Sequence, residues 1–398
     1  MGNLKRKQLV VVLILALLSA LEPFSIDLYL PGFLKIATYY QTDMKAVQFS
    51  ISTFLAGFAV GQIFWGTLSD HYGRKWPTML SLILFIIATI ACIYAQTIEQ
   101  FWVARFFQAF AGCAGVVIAR AVVNEYFDKA NTMQIFSLLA IIAGVAPIIG
   151  PVAGNFLVSN FNWQSTFVTL LIVGIVCLLA VFFFLPETKS KSAPKPGNLI
   201  QEFKQILKVA AFVKYTLIGS ITYAILMIYL ANAPFLIMDY GQLSSASFSY
   251  IFAFNAVGLV LGAWLSNAVF SRWASVEQII KVTVYVGCGL SLLFLGLCFT
   301  RQPIEVLLVP LFFLVLTLGI LFPATTKLAL EPFNENSGAA SALLGTLQLL
   351  ITFLISAISN LIPLDILLLT GLAMLVCHIG YLLCYFIRIP TTTPNLGE

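Results

Sequence analysis

The sequence predicts an all-α membrane protein of twelve transmembrane helices, arranged as two six-helix bundles with both termini in the cytoplasm. Three observations predict it. Of 398 residues, 60% are hydrophobic and 9% are charged, whereas soluble domains carry about 25% charged residues. The apolar residues gather in runs of about 20, the length a helix needs to cross a bilayer. The lysines and arginines collect in alternate loops, the signature of cytoplasmic loops. Backbone groups in lipid must bond within the chain, which leaves helices or closed barrels. Barrel strands alternate polar and apolar residues, and these runs are continuous.

The runs lie at residues 9–30, 46–67, 77–96, 101–122, 133–157 and 165–186, then 213–236, 248–270, 279–299, 304–325, 338–360 and 364–387. The first follows Lys5, Arg6 and Lys7 as a signal peptide would. It continues past Ala20, holds Glu22 and Asp27 and shows no clear cleavage site, so it reads as an uncleaved first helix. Most connections are short. The longest, from Pro186 to about Phe212, carries Lys189, Lys191, Lys195, Lys204 and Lys208 with Pro194, Pro196 and Gly197. It reads as a polar linker at 189–212, with room for a short surface helix, between an N-terminal bundle (1–188) and a C-terminal bundle (213–398).

With the N-terminus in the cytoplasm, the inner side collects Lys5, Arg6, Lys7, Arg74, Lys75, Arg120, Lys129, the linker lysines, Lys214, Arg272, Lys281, Lys327 and Arg388. The outer side keeps Lys35, Lys45 and Arg301. This asymmetry sets the orientation. Trp76, Trp102, Trp163 and Trp273 fall near span ends, where interfacial aromatics are expected.

The net charge of +5 therefore belongs to membrane orientation, not to nucleic acid. The seven cysteines all sit in apolar runs without a Cys-x-x-Cys pair, which argues against disulfides or a zinc site. His71 and His378 are isolated, so no metal cluster or catalytic pair is expected. No phosphate-binding loop of the Gly-x-x-x-x-Gly-Lys-Ser/Thr type is present, and no channel filter or charged ring is visible. The composition points to a secondary transporter without a cofactor, acting on a small molecule from within the bilayer.

Charge inside the membrane calls for an explanation, and Glu22, Asp27 and Arg105 supply it. Asp27 lies about 6 Å and Glu22 about 13 Å below the end of the first helix at Pro31, at 1.5 Å per residue. Arg105 lies at about the depth of Asp27 on the fourth helix, and is long enough to reach toward Glu22. A carboxylate is acidified by a nearby arginine and made a weaker acid by apolar surroundings, so a site alternating between the two loads and releases a proton. The same residues also fit a permanent ion pair between two helices. Pro23 frees the Ser19 carbonyl and is expected to bend the helix. The second half has no central acid. It offers Tyr223, Asn232, Phe235, Asn255 and Gln348, which with Tyr29 and Gln108 are the candidate substrate-cavity residues; each also fits ordinary interhelical packing.

The connection between the second and third spans reads GTLSDHYGRK, Gly66 to Lys75. Its Gly66, Asp70, Gly73, Arg74 and Lys75 match the cytoplasmic-gate signature of the major facilitator superfamily. The resemblance implies that Asp70 meets the start of the eleventh helix near Asn336 to Gly338; Arg74 and Lys75 are expected to pair with Glu125 or Asp128. RFFQAFAG from Arg105 resembles the family motif whose arginine serves proton coupling, with Ala109 in place of a glycine. APIIGPVAGN, Ala146 to Asn155, is similar to the motif of the drug:proton antiporter branch through Pro147, Gly150, Pro151 and Gly154; Ala146 and Asn155 depart from it. SIDLYLPGF, APF before Asp239, FAFNAVGLVLG and GAASALLGTLQ complete a resemblance to the Bcr/CflA multidrug-resistance transporters. That resemblance implies two bundles of inverted repeats around a central cavity and export of amphipathic drugs or metabolites across the bacterial inner membrane. Proton-driven import of a nutrient or siderophore is the competing expectation. Small residues four apart at Gly57/Gly61, Gly150/Gly154, Gly258/Gly262 and Ser341/Gly345 permit close helix approach and, by resemblance, are expected where the two halves meet.

Overall fold

The long apolar runs become long helices. The computed structural model describes residues 6–189, 199–333 and 337–385. In chain order the helices are α1 (Arg6–Asp27), α2 (Phe33–Tyr40), α3 (Met44–Tyr72), α4 (Lys75–Tyr94), α5 (Ile98–Tyr126), α6 (Lys129–Asn160) and α7 (Gln164–Phe184). They continue as α8 (Leu199–Ile206), α9 (Ala210–Pro234), α10 (Ser245–Trp264), α11 (Val276–Phe299), α12 (Ile304–Leu330), α13 (Ser337–Leu361) and α14 (Ile366–Tyr385). Among the described residues, eleven helices are long and apolar enough to cross a membrane; α6 is the long helix outside that set. The polar connection carries one short helix, α8. Lys5, Lys191, Lys195 and Arg388 of the charge pattern lie outside the described residues.

Local sequence sets the boundaries. Asp43, Thr97 and Ser275 stand at helix starts and accept hydrogen bonds from the backbone N–H groups of Ala46, Gln100 and Gln278, satisfying donors that a helix start leaves open. Gln278 returns the bond to the Ser275 N–H, completing a capping box. Gln41 ends α2 in the left-handed region at φ 51°.

Two compact units emerge, Met1–Lys195 with Leu243–Ala253, and Pro196–Gln242 with Phe254–Glu398. In the first, α5 packs on α3, α4 and α1, α4 packs on α7, and α1 packs on α6 and α7. In the second, α9 packs on α12, α13 and α14, and α11 packs on α12 and α14. The apolar window that includes α9 is 89% buried, against 28% for that of α7. Helix α9 is therefore a central helix of its unit, while α7 keeps a broad face for lipid.

The paired glycines serve packing inside each unit. A Cβ at Gly57 would stand 2.1 Å from the Phe106 carbonyl oxygen, and one at Gly61 would stand 2.4 Å from Cys113 Sγ and 2.5 Å from the Phe110 oxygen. These glycines bring α3 onto α5, and Trp65 Nε1 fastens the contact by donating to the Phe110 carbonyl at 2.7 Å. Gly262 meets the Leu316 oxygen of α12 at 2.2 Å by the same measure, and Gly258 meets Phe312 at 2.9 Å. The immediate partners of Gly57, Gly61, Gly258 and Gly262 are thus helices of the same unit. The tryptophans divide as well. Trp76 and Trp273 are 71% and 86% exposed, as interfacial anchors are. Trp163 is buried among Tyr39, Tyr40, Phe101 and Phe167, so it is a packing residue.

Gly57→Ala should destabilise the protein by about 1–3 kcal/mol, the usual cost of overpacking, because the obstructing atom is backbone. Gly289→Ala, where nothing lies within 4 Å, should be neutral or slightly stabilising. Thermal unfolding in detergent checks the pair; equal melting temperatures would show that α3 and α5 are not this close.

Candidate functional site

The charged groups of the first unit form two centres. The deeper one is built on the end of α1. A helix end leaves its last carbonyls without intrahelical partners and carries partial negative charge. Arg105 of α5 answers both: its Nη2 donates to the Ser25 carbonyl at 2.9 Å. Nη1 donates to Gln108 Oε1 at 2.6 Å, and Gln108 Nε2 passes the chain to Thr89 Oγ1 of α4 at 2.9 Å. The guanidinium carbon lies 4.5 Å from the Tyr29 ring centre, 4.4 Å from that of Phe54 and 5.6 Å from that of Phe167, distances at which ring faces stabilise a cation. Arg105 is completely buried, and its Nε has no hydrogen-bond partner.

The sequence placed Arg105 and Asp27 at matched depth without showing that their helices touch; the structure packs α5 on α1. The partner differs: Arg105 bonds a main-chain carbonyl and an amide, and forms no ion pair with Asp27. Asp27 is buried on the neighbouring face, and the charge that acts on it is that of Glu22. Its Cβ lies against α6, where a Cβ on Gly150 would stand 2.6 Å away; one on Gly154 would stand 2.0 Å from the Leu28 oxygen. The glycines of the Ala146–Asn155 motif therefore admit the end of α1 and place Asp27 directly on that motif, between Pro147 and Pro151 in the α6 sequence. Glu22 is partly accessible.

The second centre is the Gly66–Lys75 loop. Gly73 adopts φ +91° between α3 and α4, a conformation that strains any other residue. Gly66 has only ordinary contact with Val117. Arg74 is gripped on three sides: Nη1 donates to Asp70 Oδ1 at 2.6 Å and Ser69 Oγ at 2.9 Å, while Nε and Nη2 donate to Glu125 at 3.0 and 2.5 Å. The expected Arg74–Glu125 pair is present. Asp70 pairs with Arg74; its expected meeting with Asn336 to Gly338 lies outside the described residues.

Glu187, which the sequence reading passed over, completes this centre. Its carboxylate accepts the backbone N–H groups of Arg74 at 2.7 Å and Lys75 at 3.1 Å. Thr188 donates to Glu125 at 2.7 Å, and Lys189 Nζ donates to the Asp70 and His71 carbonyls. The only sequence signal was an acid directly after an apolar run. The chain leaving α7 is thus tied to the loop leaving α3.

The candidate cavity residues sort by burial. Tyr29 and Gln108 are 1% and 0% exposed and belong to the Arg105 network. Asn232, Phe235 and Asn255 are also buried; Asn255 donates to the Tyr229 hydroxyl at 2.8 Å. Tyr223 and Gln348 remain partly accessible. A Cβ on Gly219 would meet Gln348 Nε2 at 2.8 Å, so Gln348 rests on α9. Phe235 opens a π-helical turn, Phe235–Tyr240, a form that frequents functional sites.

The latch at Glu187 should depend on pH. Partial burial works against its charge, yet the backbone N–H groups of Arg74, Lys189, Lys75 and Thr188 outweigh burial and hold its carboxyl below the usual carboxylate range. A depressed folded value means the contact stabilises above the unfolded carboxylate value near 4.3 and is lost as pH falls through the lower folded value. Hydrogen exchange of the Arg74 and Lys75 amides should remain slow to about pH 4 and accelerate below it. Glu187→Gln should exchange faster already at neutral pH; unchanged protection in that variant would show the latch to be incidental.

The comparisons with known proteins agree with this geometry. Residues 15–356 match the family model of the Major Facilitator Superfamily. The chain is 29% identical over 88% of both lengths to an uncharacterized MFS-type transporter, YdgK, of Bacillus subtilis. It is 28% identical to a bicyclomycin resistance protein homolog of Haemophilus influenzae, covering 71% of this chain and 72% of that one. It is 29% identical to the multidrug resistance protein MdtL of Escherichia coli over 82% of each. Among solved structures, the D-xylose-proton symporter superposes with a TM-score of 0.76 at 13% identity over 94% of this chain and 97% of that one. A bacterial homolog of the lysosomal transporter Spinster gives 0.75 at 14% over 96% and 98%. Fold, loop signature and family model converge: this chain belongs to the Major Facilitator Superfamily and is a secondary transporter.

Proposed function

We propose that the protein is a proton-coupled exporter of small amphipathic drugs or metabolites, of the Bcr/CflA type. The observation that carries this reading is the seat of Asp27: a buried carboxylate pressed against Gly150 of the antiporter-type motif, about 1.4 helical turns from Glu22 and beside a buried arginine bonded elsewhere. An acid not locked to a cation can exchange its proton as its surroundings change. The names of the bicyclomycin- and multidrug-resistance relatives support the same direction.

In this reading the chain spans the bacterial inner membrane twelve times, α6 supplying the twelfth crossing, with both termini in the cytoplasm as the lysine and arginine pattern requires. It works as a monomer. Protons from outside reach Glu22 and Asp27. Protonation removes their charge and with it their hold on a cationic substrate, which leaves outward. Opening toward the cytoplasm then exposes the acids to a lower proton concentration, and the cycle restarts. The Arg74–Asp70–Glu125 cluster guards the cytoplasmic end.

Proteoliposomes with an imposed pH gradient test this. A lipophilic cationic drug should release protons from wild type, Asp27→Asn should abolish the release, and Arg105→Ala should uncouple it. Protons entering together with solute would make the protein an importer. Wild-type-like coupling in Asp27→Asn, Glu22→Gln and Arg105→Ala would mean that these charges only hold helices together.

A further inference from the structure

The first unit carries a cavity that neither charged centre touches. It measures about 430 Å³ and lies between α2 and the turn from α6 into α7, where Lys35, Thr38, Tyr39, Asn162, Trp163 and Gln164 line it. Helix α3 starts beside α2 and runs 29 residues to the Arg74 loop, so the cavity sits at the opposite end of the unit from that loop.

Its walls are rich in donors. Lys35 Nζ donates to the Val158 carbonyl near the end of α6 at 2.6 Å. An ammonium has three donors and no acceptor, and Lys35 forms no ion pair with a described residue. The Trp163 ring packs, but its N–H is left over. Trp163 is 3% exposed, and its Nε1, which can only donate, has no hydrogen-bond partner among the described residues. The ring meets that of Tyr39 edge-on at 5.4 Å, which keeps the indole beside the cavity. Asn162 Oδ1 is already taken by the Ser165 N–H at 2.9 Å. Trp163 also stands at the start of α7, the end of a helix that carries partial positive charge. None of the described lining residues is acidic.

A buried donor without a partner is costly, and this one lies in the same cavity wall as a cation. Such a wall is complementary to an anion with several acceptor oxygens. The surroundings indicate its source. Tyr39 and Phe161 are 51% and 68% exposed, as aromatics at the headgroup level of a bilayer are. From there α7 continues into the exposed apolar residues Val168, Ile172 and Ile175, a face against which acyl chains can lie. We propose that this cavity binds the phosphodiester of a phospholipid with net negative charge, Lys35 Nζ and Trp163 Nε1 donating to its oxygens. Phosphatidylcholine has the same phosphate but brings an ammonium to a wall without an acid, so it is the weaker ligand. The bound lipid braces the chain just beyond Asp27, because Gly32 rests on Val158 and Trp163, where a Cβ would stand 3.3 and 3.2 Å away. The orientation proposed above puts the site in the outer leaflet; that placement alone rests on the exporter reading.

Native mass spectrometry of the purified full chain, titrated with dioleoyl phosphatidylglycerol or dioleoyl phosphatidylcholine, reads the affinity for the first bound lipid. Wild type should prefer phosphatidylglycerol. Lys35→Gln and Trp163→Phe should each weaken phosphatidylglycerol roughly tenfold, the scale of one hydrogen bond to a charged group, and leave phosphatidylcholine unchanged. Lys35→Arg should keep the wild-type preference, and Lys45→Gln, outside the cavity, should leave both lipids as in wild type. Equal affinity of wild type for the two lipids, or a loss as large in Lys45→Gln as in Lys35→Gln, would overturn the site. Displacement of phosphatidylglycerol by millimolar inorganic phosphate would overturn it as a lipid site and make it one for a soluble anion. Should Trp163→Phe not fold, Lys35→Gln against Lys45→Gln decides alone. Lipid selectivity as expected in a protein that moves no protons in vesicles would overturn the exporter reading and uphold this one.

Discussion

The first unit depends on one buried guanidinium. Arg105 is a permanent charge in a region where unpaired charge is costly. It is compensated by the negative end of α1, an amide and three ring faces. In meeting those needs it touches most of its unit: Ser25 and Tyr29 at the end of α1, Phe54 on α3, Thr89 on α4 through Gln108, and Phe167 on α7. Tyr29 is itself held by Ser50 of α3 at 3.0 Å. A cation that must be surrounded fixes the positions of everything that surrounds it.

This arrangement decides what the acids can do. Had Arg105 bonded Asp27, the two would form a buried pair, strongly resistant to losing either partner. Bonded instead to a carbonyl, the arginine leaves Asp27 to the influence of Glu22 and of the α6 glycines. The neutral network around Arg105 does not change when a proton arrives or leaves, so protonation alters the acids without dismantling the bundle. At the other end of the unit the opposite strategy operates. Arg74 is committed to two carboxylates at once, and Glu187 holds the adjacent backbone. Such a cluster must be broken as a whole for the loop to move, which suits a gate better than a proton carrier.

Much of this was legible in the sequence because it is written in residue type. Apolar runs, a Gly-Arg-Lys loop and acids inside a helix have no cheaper explanation than spans, a turn and a site. The partner of Arg105 was not legible, because the Ser25 carbonyl is a main-chain atom made available by the end of a helix, and helix ends depend on geometry. The burial of Tyr29, Gln108, Asn232, Phe235 and Asn255 was not legible for a related reason: an aromatic or amide looks the same in sequence whether it is exposed or packed against a neighbour. Gly57 and Gly61 announced close packing correctly, but small-residue spacing names no partner, and the partner was α5. Glu187 was missed because an acid at a span end is ordinary until its carboxylate is seen on another loop's amides.

The second unit sharpens the assignment by contrast. Apart from Lys214, its buried polar side chains are neutral, and several make hydrogen bonds within the unit: Tyr381 donates to Thr222 at 2.9 Å, Asn255 donates to Tyr229, and His378 Nδ1 donates to the Met374 carbonyl at 2.7 Å. Hydrogen bonds of this kind between membrane helices are modest, worth about 0.6 kcal/mol each, and they carry no net charge. In the first unit Glu22 and Asp27 already carry titratable charge inside the span, and the rings and carbonyl that stabilise Arg105 keep its charge constant through the cycle. The membrane-span acids Glu22 and Asp27 therefore sit in the first unit, at the end of α1, where the neighbouring Arg105 is satisfied by a carbonyl and an amide.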